Sequence, residues 1–268
     1  MPRRRPVLPP PLTALVLAAL VPAAGCATVG PAPAGDRVTA AVAPRALSAA
    51  ELRGAAVTGS DLGAGYTVSL LGPGQPAPSG SSGAAQRQVA DVPACQPVLD
   101  AVGPADPGAA PQAEADLSVL RVAAPSSAGA GAGAVPLYTA LLGYPAGRPA
   151  VLQTTLDQAL ARYTAFTSAP ADPKAVTPTA RGARTGHQLE RADAPTPEGA
   201  DAVTAFTLTS GPATGEGGGP ALTQRAVVVR VGTVLAVFST VGTAKEPAAV
   251  PDPVVVRAQT RKLRAAQG

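Results

Sequence analysis

The chain has 268 residues and a formal net charge of +4, from 21 Lys or Arg against 17 Asp or Glu. Three of the basic residues are Arg3, Arg4 and Arg5; without them the balance is 18 against 17, which argues against a nucleic-acid-binding protein. Hydrophobic residues make up 46%, but the aromatics are four Tyr and three Phe without Trp, so Ala, Val and Leu must build the core. Two cysteines supply no disulfide framework, so that core must stabilise the domain.

Residues 1–25 have the organisation of an export signal. The three arginines form a basic start, residues 12–21 are an apolar run with Thr13 as its one polar residue, and Ala23, Ala24 and Gly25 are the small residues of a cleavage site. The run is half of the about 20 residues that a membrane-spanning helix needs. The sequence therefore predicts a cleaved signal peptide. Arg4-Arg5 also loosely matches a twin-arginine signal, so export after folding is an alternative.

Cys26 directly follows these small residues. This arrangement resembles the lipobox of bacterial lipoproteins, where the cysteine thiol is joined to diacylglycerol and becomes the mature N-terminus. The resemblance implies lipid attachment at Cys26, with acyl chains such as palmitate holding the protein on the extracytoplasmic face of the cell membrane. Ala23 stands where the lipobox prefers Leu, so ordinary signal cleavage without lipid is the alternative.

Residues 26–46 are rich in Ala, Pro, Gly and Thr and show no apolar periodicity, which predicts a disordered, flexible tether with a span of roughly 25 Å. Residues 47–268 are expected to form a single domain. Ser48 and Glu51 have the spacing of a capping box, and the short helix that they begin would turn Leu47 and Leu52 toward the core.

Seven stretches with alternating or β-branched apolar residues predict strands, and Gly232-Thr233 connects the last two as a type II′ turn. These strands are expected at 66–71, 117–123, 135–144, 185–191, 202–209, 226–231 and 234–240. The Pro, Gly and Ser density of residues 72–88 predicts a loop, and the Gly/Ala run at 129–134 predicts a hairpin loop.

Three further helices are predicted. Residues 91–102 carry Pro93 near the start, and Asp252 can cap a C-terminal helix that turns Val256 and Leu263 inward. The clearest helix is 150–166, because its apolar residues recur at helical spacing on one face. They are Leu152, Leu156, Ala159, Leu160, Tyr163 and Phe166. Since strands and helices do not alternate, we expect an α+β fold with an antiparallel β-sheet of about five to seven strands flanked by helices.

Three local motifs resemble a known family. Residues 61–66 (DLGAGY) are similar to an early "DLPxGY" segment, 93–95 (PAC) to a first helix cysteine, and 229–234 (VRVGTV) to a "VRVGN" hairpin of the actinobacterial PknH-like extracellular sensor domain family. The resemblance implies a surface lipoprotein with a helix-flanked antiparallel sheet, a ligand cleft and no catalytic residues. Members usually pair helix cysteines, but Arg162-Tyr163 stands where the partner of Cys95 would be. Cys95 is then a buried reduced thiol or, alternatively, forms an intermolecular pair.

No motif predicts catalysis, a cofactor or a metal ion. His187 is the only histidine, so any imidazole-based site must include it, and its surroundings predict a solvated bystander in a loop or at a strand edge. There is no G-x-S-x-G elbow or dinucleotide fingerprint. Four carboxylates lie near one another in sequence without a spacing that forces two of them into one site. They are Asp91, Asp100, Glu114 and Asp116.

The sequence thus predicts a membrane-tethered extracytoplasmic lipoprotein that acts as a non-catalytic ligand-binding or sensor-like module. Its partners would be the membrane, through the lipid anchor, and a small molecule or an envelope protein, but not nucleic acid. The alternatives are an exported hydrolase with an unrecognised site and a structural envelope-interaction lipoprotein. A cleft without convergent titratable groups would favour binding, whereas His187 hydrogen-bonded to a Ser and an Asp would favour catalysis.

Overall fold

The computed structural model describes residues 45–72, 87–122, 136–172, 184–213, 221–243 and 245–268. All of them belong to one compact unit, Val42–Gly268. The predicted signal peptide, Cys26, nearly all of the predicted tether and the predicted hairpin loop at 129–134 lie outside the described residues. Within these ranges, every helix is too short or too polar to cross a lipid bilayer.

The described residues form an α+β domain around one nine-stranded sheet in which every neighbouring pair is antiparallel. The strands are β1 (Tyr66–Leu70), β2 (Gln88–Ala90), β3 (Ala113–Arg121), β4 (Leu137–Gly143), β5 (Ala165–Pro170), β6 (Thr185–Ala192), β7 (Ala202–Pro212), β8 (Leu222–Val231) and β9 (Val234–Thr243). Their order across the sheet is β1-β3-β4-β9-β8-β7-β6-β5-β2. The predicted fold class is confirmed.

Helices pack on both faces of this sheet. They are α1 (Ala49–Gly54), α2 (Gly59–Leu62), a short 3-10 helix (Pro93–Cys95), α3 (Gln96–Val102), α4 (Arg148–Arg162) and α5 (Pro253–Gln267). One hydrophobic cluster joins α1 and α5 to what we call the α5 face, and a second joins α3 and α4 to the α4 face. The central strand β8 serves both, because Val227 and Val229 enter the first cluster and Val228 the second.

The β8–β9 hairpin has the predicted turn. Gly232 has a φ of 55° and Thr233 does not have a positive φ, which is the pattern of a type II′ turn. The Gly232 amide donates to a carboxylate oxygen of Asp201 at 2.6 Å, and the Thr233 hydroxyl donates to the Arg45 carbonyl at 2.8 Å. Arg45, the first described residue, is therefore held at this turn.

The caps of α1 and α5 are as predicted. Ser48 and Glu51 form the capping box of α1, and Asp252 accepts from the amide of Val254 at the start of α5. Leu47, Leu52, Val256 and Leu263 are all buried. The side chain of buried Gln259 accepts from the Val57 amide and donates to the Ala55 carbonyl, which fixes the segment after α1 against α5.

The prediction of one helix over 150–166 was wrong at its C-terminal end. Helix α4 ends at Arg162, Tyr163 is already extended, and Phe166 lies on β5. Phe166 continues the helical spacing by chance, but the following Thr-Ser-Ala alternation belongs to a strand. The short strands β2 and β5 were not predicted, so the sheet has nine strands instead of five to seven. Leu156 and Leu160 are buried against the sheet as expected, and Leu152 and Tyr163 are partly buried beside them.

Candidate functional site

The one histidine lies inside the domain. His187 is 6% exposed in the middle of β6, on the α4 face, so the prediction of a solvated bystander was wrong. Its Nε2 is 2.8 Å from the hydroxyl of Ser168 on β5, and its Nδ1 is 2.8 Å from the hydroxyl of Ser210 on β7. The imidazole also stacks on Phe166, with 4.7 Å between ring centroids. One polar network therefore joins three adjacent strands.

The hydrogen bonds of this network run in one direction. The Ser168 hydroxyl donates to Oε1 of Gln88 at 3.1 Å, so its oxygen is left to accept from the imidazole. Nε2 of His187 then carries the proton, and Nδ1 accepts from the Ser210 hydroxyl. Each polar atom in this chain of bonds has a partner of the complementary kind, as a buried polar network requires.

The imidazole is held in its neutral form. Burial lowers the pKa of His187 to about 4, and the negative charge of Asp91 opposes this shift. The oxygens of Asp91 instead accept from the amide and hydroxyl of Thr167 and from the amide of Val92. These bonds, led by those from Thr167, lower the pKa of Asp91. His187 thus has two Ser partners but no carboxylate bonded to its ring.

A groove of about 350 Å³ lies on the opposite face of the same strands. Its lining comes from the start of β5, from β6 and from β7. The residues are Thr164, Ala165, Gln188, Leu189, Glu190, Thr207 and Thr209. Side chains alternate between the two faces of a strand, so Gln188 and Glu190 point away from His187. The sheet register pairs Glu190 with Thr207, and Gln188 with Thr209 and Ala165, so these residues share the α5 face.

The described helices of the α5 face pack mainly on strands other than β5, β6 and β7. α5 packs on β8 and β9, and α1 packs on β3 and β4. Gln188, Glu190 and Ala165 are exposed, and Thr207 and Thr209 are half-buried. None of these four polar side chains forms a hydrogen bond or ion pair with any other residue that the structure describes. The groove therefore presents hydrogen-bonding groups that the described part of the fold does not use.

The described lining of the groove carries one negative charge. Glu190 is the one ionisable residue in the described lining. The register places Thr207 between Glu190 of β6 and Arg225 of β8. The positive charge of Arg225 therefore lies on the same face, two strands from Glu190 and one strand outside the lining. The groove thus offers one carboxylate, one amide and three hydroxyl groups.

The four carboxylates that the sequence placed near one another do not form one site. Glu114 and Asp116 share the α4 face of β3, and burial raises the pKa of both, with a further rise for Glu114 from Asp116. Asp100 lies on α3, where burial raises its pKa while Gln96 donates to it. Asp91 is bonded to Thr167. Within the described ranges, His, Cys, Asp and Glu nowhere gather in threes that could hold a metal ion.

Cys95 is a free, fully buried thiol at the end of the 3-10 helix. It packs in the α4-face cluster with Val98, Leu99 and Phe166, and burial raises its pKa. A thiol with a raised pKa and no access to solvent is unreactive. The predicted burial of Cys95 is confirmed, and its reduced state stays a prediction.

No protein-family model matches the sequence, and no curated protein matches it at a significant level. Two solved structures are similar at 10% identity. The extracellular domain of PknH from Mycobacterium tuberculosis has a TM-score of 0.44 and covers 83% of this chain and 97% of its own. An uncharacterized protein from Mycobacterium smegmatis, an ortholog of Rv0999, has a TM-score of 0.37, with 82% and 98% covered. Both TM-scores lie below 0.5, so neither likeness decides a function.

Proposed function

We propose that the protein is a lipoprotein, anchored through Cys26 to the extracytoplasmic face of the cell membrane, whose α+β domain is a non-catalytic ligand-binding, sensor-like module. The observation that carries the ligand-binding part is the groove on β5, β6 and β7. Its volume of about 350 Å³ lies at the lower end of the about 300–1,000 Å³ typical of small-molecule sites. Its side chains have hydrogen-bonding capacity to spare, which a ligand would use.

The anchor is supported by the sequence around Cys26. Attachment of two or three acyl chains, at ~0.8 kcal/mol per buried methylene, makes membrane binding effectively stable. The bond from the Thr233 hydroxyl to the Arg45 carbonyl holds the first described residue of the chain at the β8–β9 turn.

One observation favours the second candidate, an exported serine hydrolase. The Ser210 hydroxyl is half-buried, and it donates a hydrogen bond to Nδ1 of His187, a neutral base with an oriented ring. Two observations weigh against hydrolysis. Ser168, which orients the ring, is 0% exposed and supplies no negative charge. The groove that could hold a substrate lies on the other side of the sheet. The network is better explained as a structural link between strands.

The anchor is tested by mass spectrometry of the mature N-terminus and by fractionation of expressing cells. We expect Cys26 to be the first residue, with the mass of a diacylglycerol, and the protein to remain in the membrane fraction. Cys26→Ser should release it, whereas the matched control Cys95→Ala should stay membrane-bound. An unmodified N-terminus at another residue would refute the anchor.

The choice between binding and hydrolysis is tested with a fluorophosphonate probe, which labels activated serines. We expect the native protein to remain unlabelled at Ser210. Labelling that is lost in both Ser210→Ala and His187→Gln, while Ser118→Ala keeps it, would establish the hydrolase instead. Ser118 suits this comparison because it is a half-buried serine of β3 on the same face.

A further inference from the structure

From the chemistry of the groove we infer the class of its ligand: a neutral oligosaccharide segment. The inference rests on the proposed ligand-binding function of the same groove. It starts from the polar lining, which consists of hydroxyl, amide and carboxylate groups. The members are Thr164, Thr207, Thr209, Gln188 and Glu190.

Hydroxyl and amide groups both donate and accept hydrogen bonds, whereas a carboxylate accepts only. A ligand that forms hydrogen bonds with all three kinds of group must carry many closely spaced groups that both donate and accept hydrogen bonds. Sugar hydroxyls do this, and a carboxylate can accept from two neighbouring hydroxyls at once. An aliphatic ligand would leave Gln188 and Glu190 without partners, which is costly once water is displaced.

The arrangement of the groups suits an extended ligand that lies along the sheet. Glu190 and Thr207 are direct cross-strand neighbours, as are Gln188 and Thr209. Such neighbours are about 5 Å apart, and successive residues on one face of a strand are about 7 Å apart. The four side chains therefore form two rows of polar groups over an area larger than one sugar ring. Ala165 lies beside Gln188 and provides a small apolar surface for the carbon-bound face of a ring.

The charge of the groove excludes other polar ligands. Glu190 lies in the lining and opposes the binding of phosphates and carboxylates, whereas Arg225 lies one strand outside the lining. Glu190 is also the one carboxylate of the described lining, and no group of three metal-ligating residues occurs among the residues that the structure describes. The described lining contains no aromatic residue, so nucleobases find no stacking partner. A neutral polyhydroxylated ligand meets neither obstacle.

The test is calorimetric titration of the full mature chain in a detergent without sugar head groups. The probes are linear tetrasaccharides of glucose, mannose, galactose and arabinose, with a tetragalacturonate as the charged counterpart. We expect at least one neutral tetrasaccharide to bind with a dissociation constant of about 1 mM or lower, and tetragalacturonate to bind at least about fivefold more weakly. Glu190→Gln should narrow that difference, because it removes the negative charge and keeps an accepting oxygen.

Thr209→Val removes one groove hydroxyl at constant shape and should weaken binding about fivefold or more. Thr67→Val is the matched control, since Thr67 is an exposed strand threonine on β1. It should leave affinity within about twofold of the parent protein. A variant that binds weakly is accepted only when its thermal unfolding midpoint matches that of the control.

Three results would overturn the inference. They are no binding of any neutral tetrasaccharide at about 10 mM, equal losses in Thr209→Val and Thr67→Val, and tighter binding of tetragalacturonate. A random extended decapeptide pool that binds instead, and loses binding with Thr209→Val, would also overturn it but would leave the groove as a ligand site. The proposed function itself loses its support if sugars and peptides both fail to bind.

Discussion

The two faces of β5, β6 and β7 carry polar residues of similar kinds that differ in their hydrogen bonding within the fold. On the α4 face, the hydroxyls of Ser168 and Ser210 are both hydrogen-bonded to the ring of His187. On the α5 face, Gln188 and Thr209 lie open and without partners among the described residues. The amino-acid types do not make this difference: among the described residues, the side chains of the first group have hydrogen-bonding partners within the fold and those of the second group have none. The first group therefore stabilises the fold, and the second keeps the hydrogen-bonding capacity on which the proposed function rests.

The largest expected effect concerns the packing of helix α4 on the sheet. Leu156 of α4 is 3% exposed in the α4-face cluster, so Leu156→Ala should lower the free energy of unfolding by about 2–5 kcal/mol. Val151→Ala is the matched control on the same helix, because Val151 is exposed, and it should change the free energy little. Urea denaturation measures both. A loss within about 0.5 kcal/mol for Leu156→Ala would mean that α4 does not cover the sheet.

The next effect concerns the buried network. Ser168→Ala leaves the proton on Nε2 of His187 without an acceptor, and this should cost about 1–3 kcal/mol in the free energy of unfolding. Ser118→Ala removes a half-buried serine of β3 for which the described residues offer no hydrogen bond. Its cost should be smaller by about 1 kcal/mol or more. Equal costs in the two variants would show that the bond to His187 contributes nothing.

The same network makes stability depend on pH. The pKa of His187 is about 4 in the folded protein, below its unfolded value of 6.5, so between these values the unfolded chain binds the proton more readily. The contribution of the neutral His187 to the free energy of unfolding is complete above pH 6.5 and is lost as the pH falls toward 4. The slope approaches about 1.4 kcal/mol per pH unit within this window. His187→Gln should lack this component. Because carboxylates titrate in the parent protein and in the variant alike, the quantity to follow is the difference between the unfolding free energies of these two proteins. A difference that stays constant from pH 7 to pH 4 would contradict a buried neutral imidazole.

Much of this architecture could be predicted from local patterns, because local chemistry determines it. Gly232 marks the hairpin turn, Ser48 and Asp252 cap their helices, and Leu156 and Leu160 mark the buried face of α4. The end of α4 could not be read, because Phe166 fits both a helical and a strand spacing. Strand β2 has only three residues, too few for a pattern.

Neither the network nor the groove could be predicted in the same way. The partners of His187 lie 19 and 23 residues away in sequence, on separate strands, and only the register of the sheet brings them together. The isolated His in a polar stretch, Thr185-Gly186-His187-Gln188, therefore suggested a solvated position. The groove depends on which strands α1 and α5 leave open, and this depends on tertiary packing. The alternation of His187 and Leu189 with Gln188 and Glu190 was the one signal of a two-sided strand.

The smallest expected effect on stability belongs to the groove. Thr209→Val, at a half-buried position without a described hydrogen-bond partner, should change the free energy of unfolding by no more than about 0.5 kcal/mol. Urea denaturation of this variant beside the parent protein measures the change. A loss above about 1 kcal/mol would mean that the Thr209 hydroxyl is already used within the fold.

The most direct measurement uses two adjacent residues of β7 that point to opposite faces. Thr209→Val and Ser210→Ala are compared in urea denaturation and in titration with the neutral tetrasaccharides. We expect the two variants to have opposite effects. Thr209→Val weakens tetrasaccharide binding and leaves the free energy of unfolding unchanged, while Ser210→Ala lowers the free energy of unfolding by about 1 kcal/mol and leaves the affinity of the folded protein unchanged. If Ser210→Ala abolishes binding while Thr209→Val leaves it unchanged, the ligand site lies at the histidine and the assignment of the two faces is contradicted.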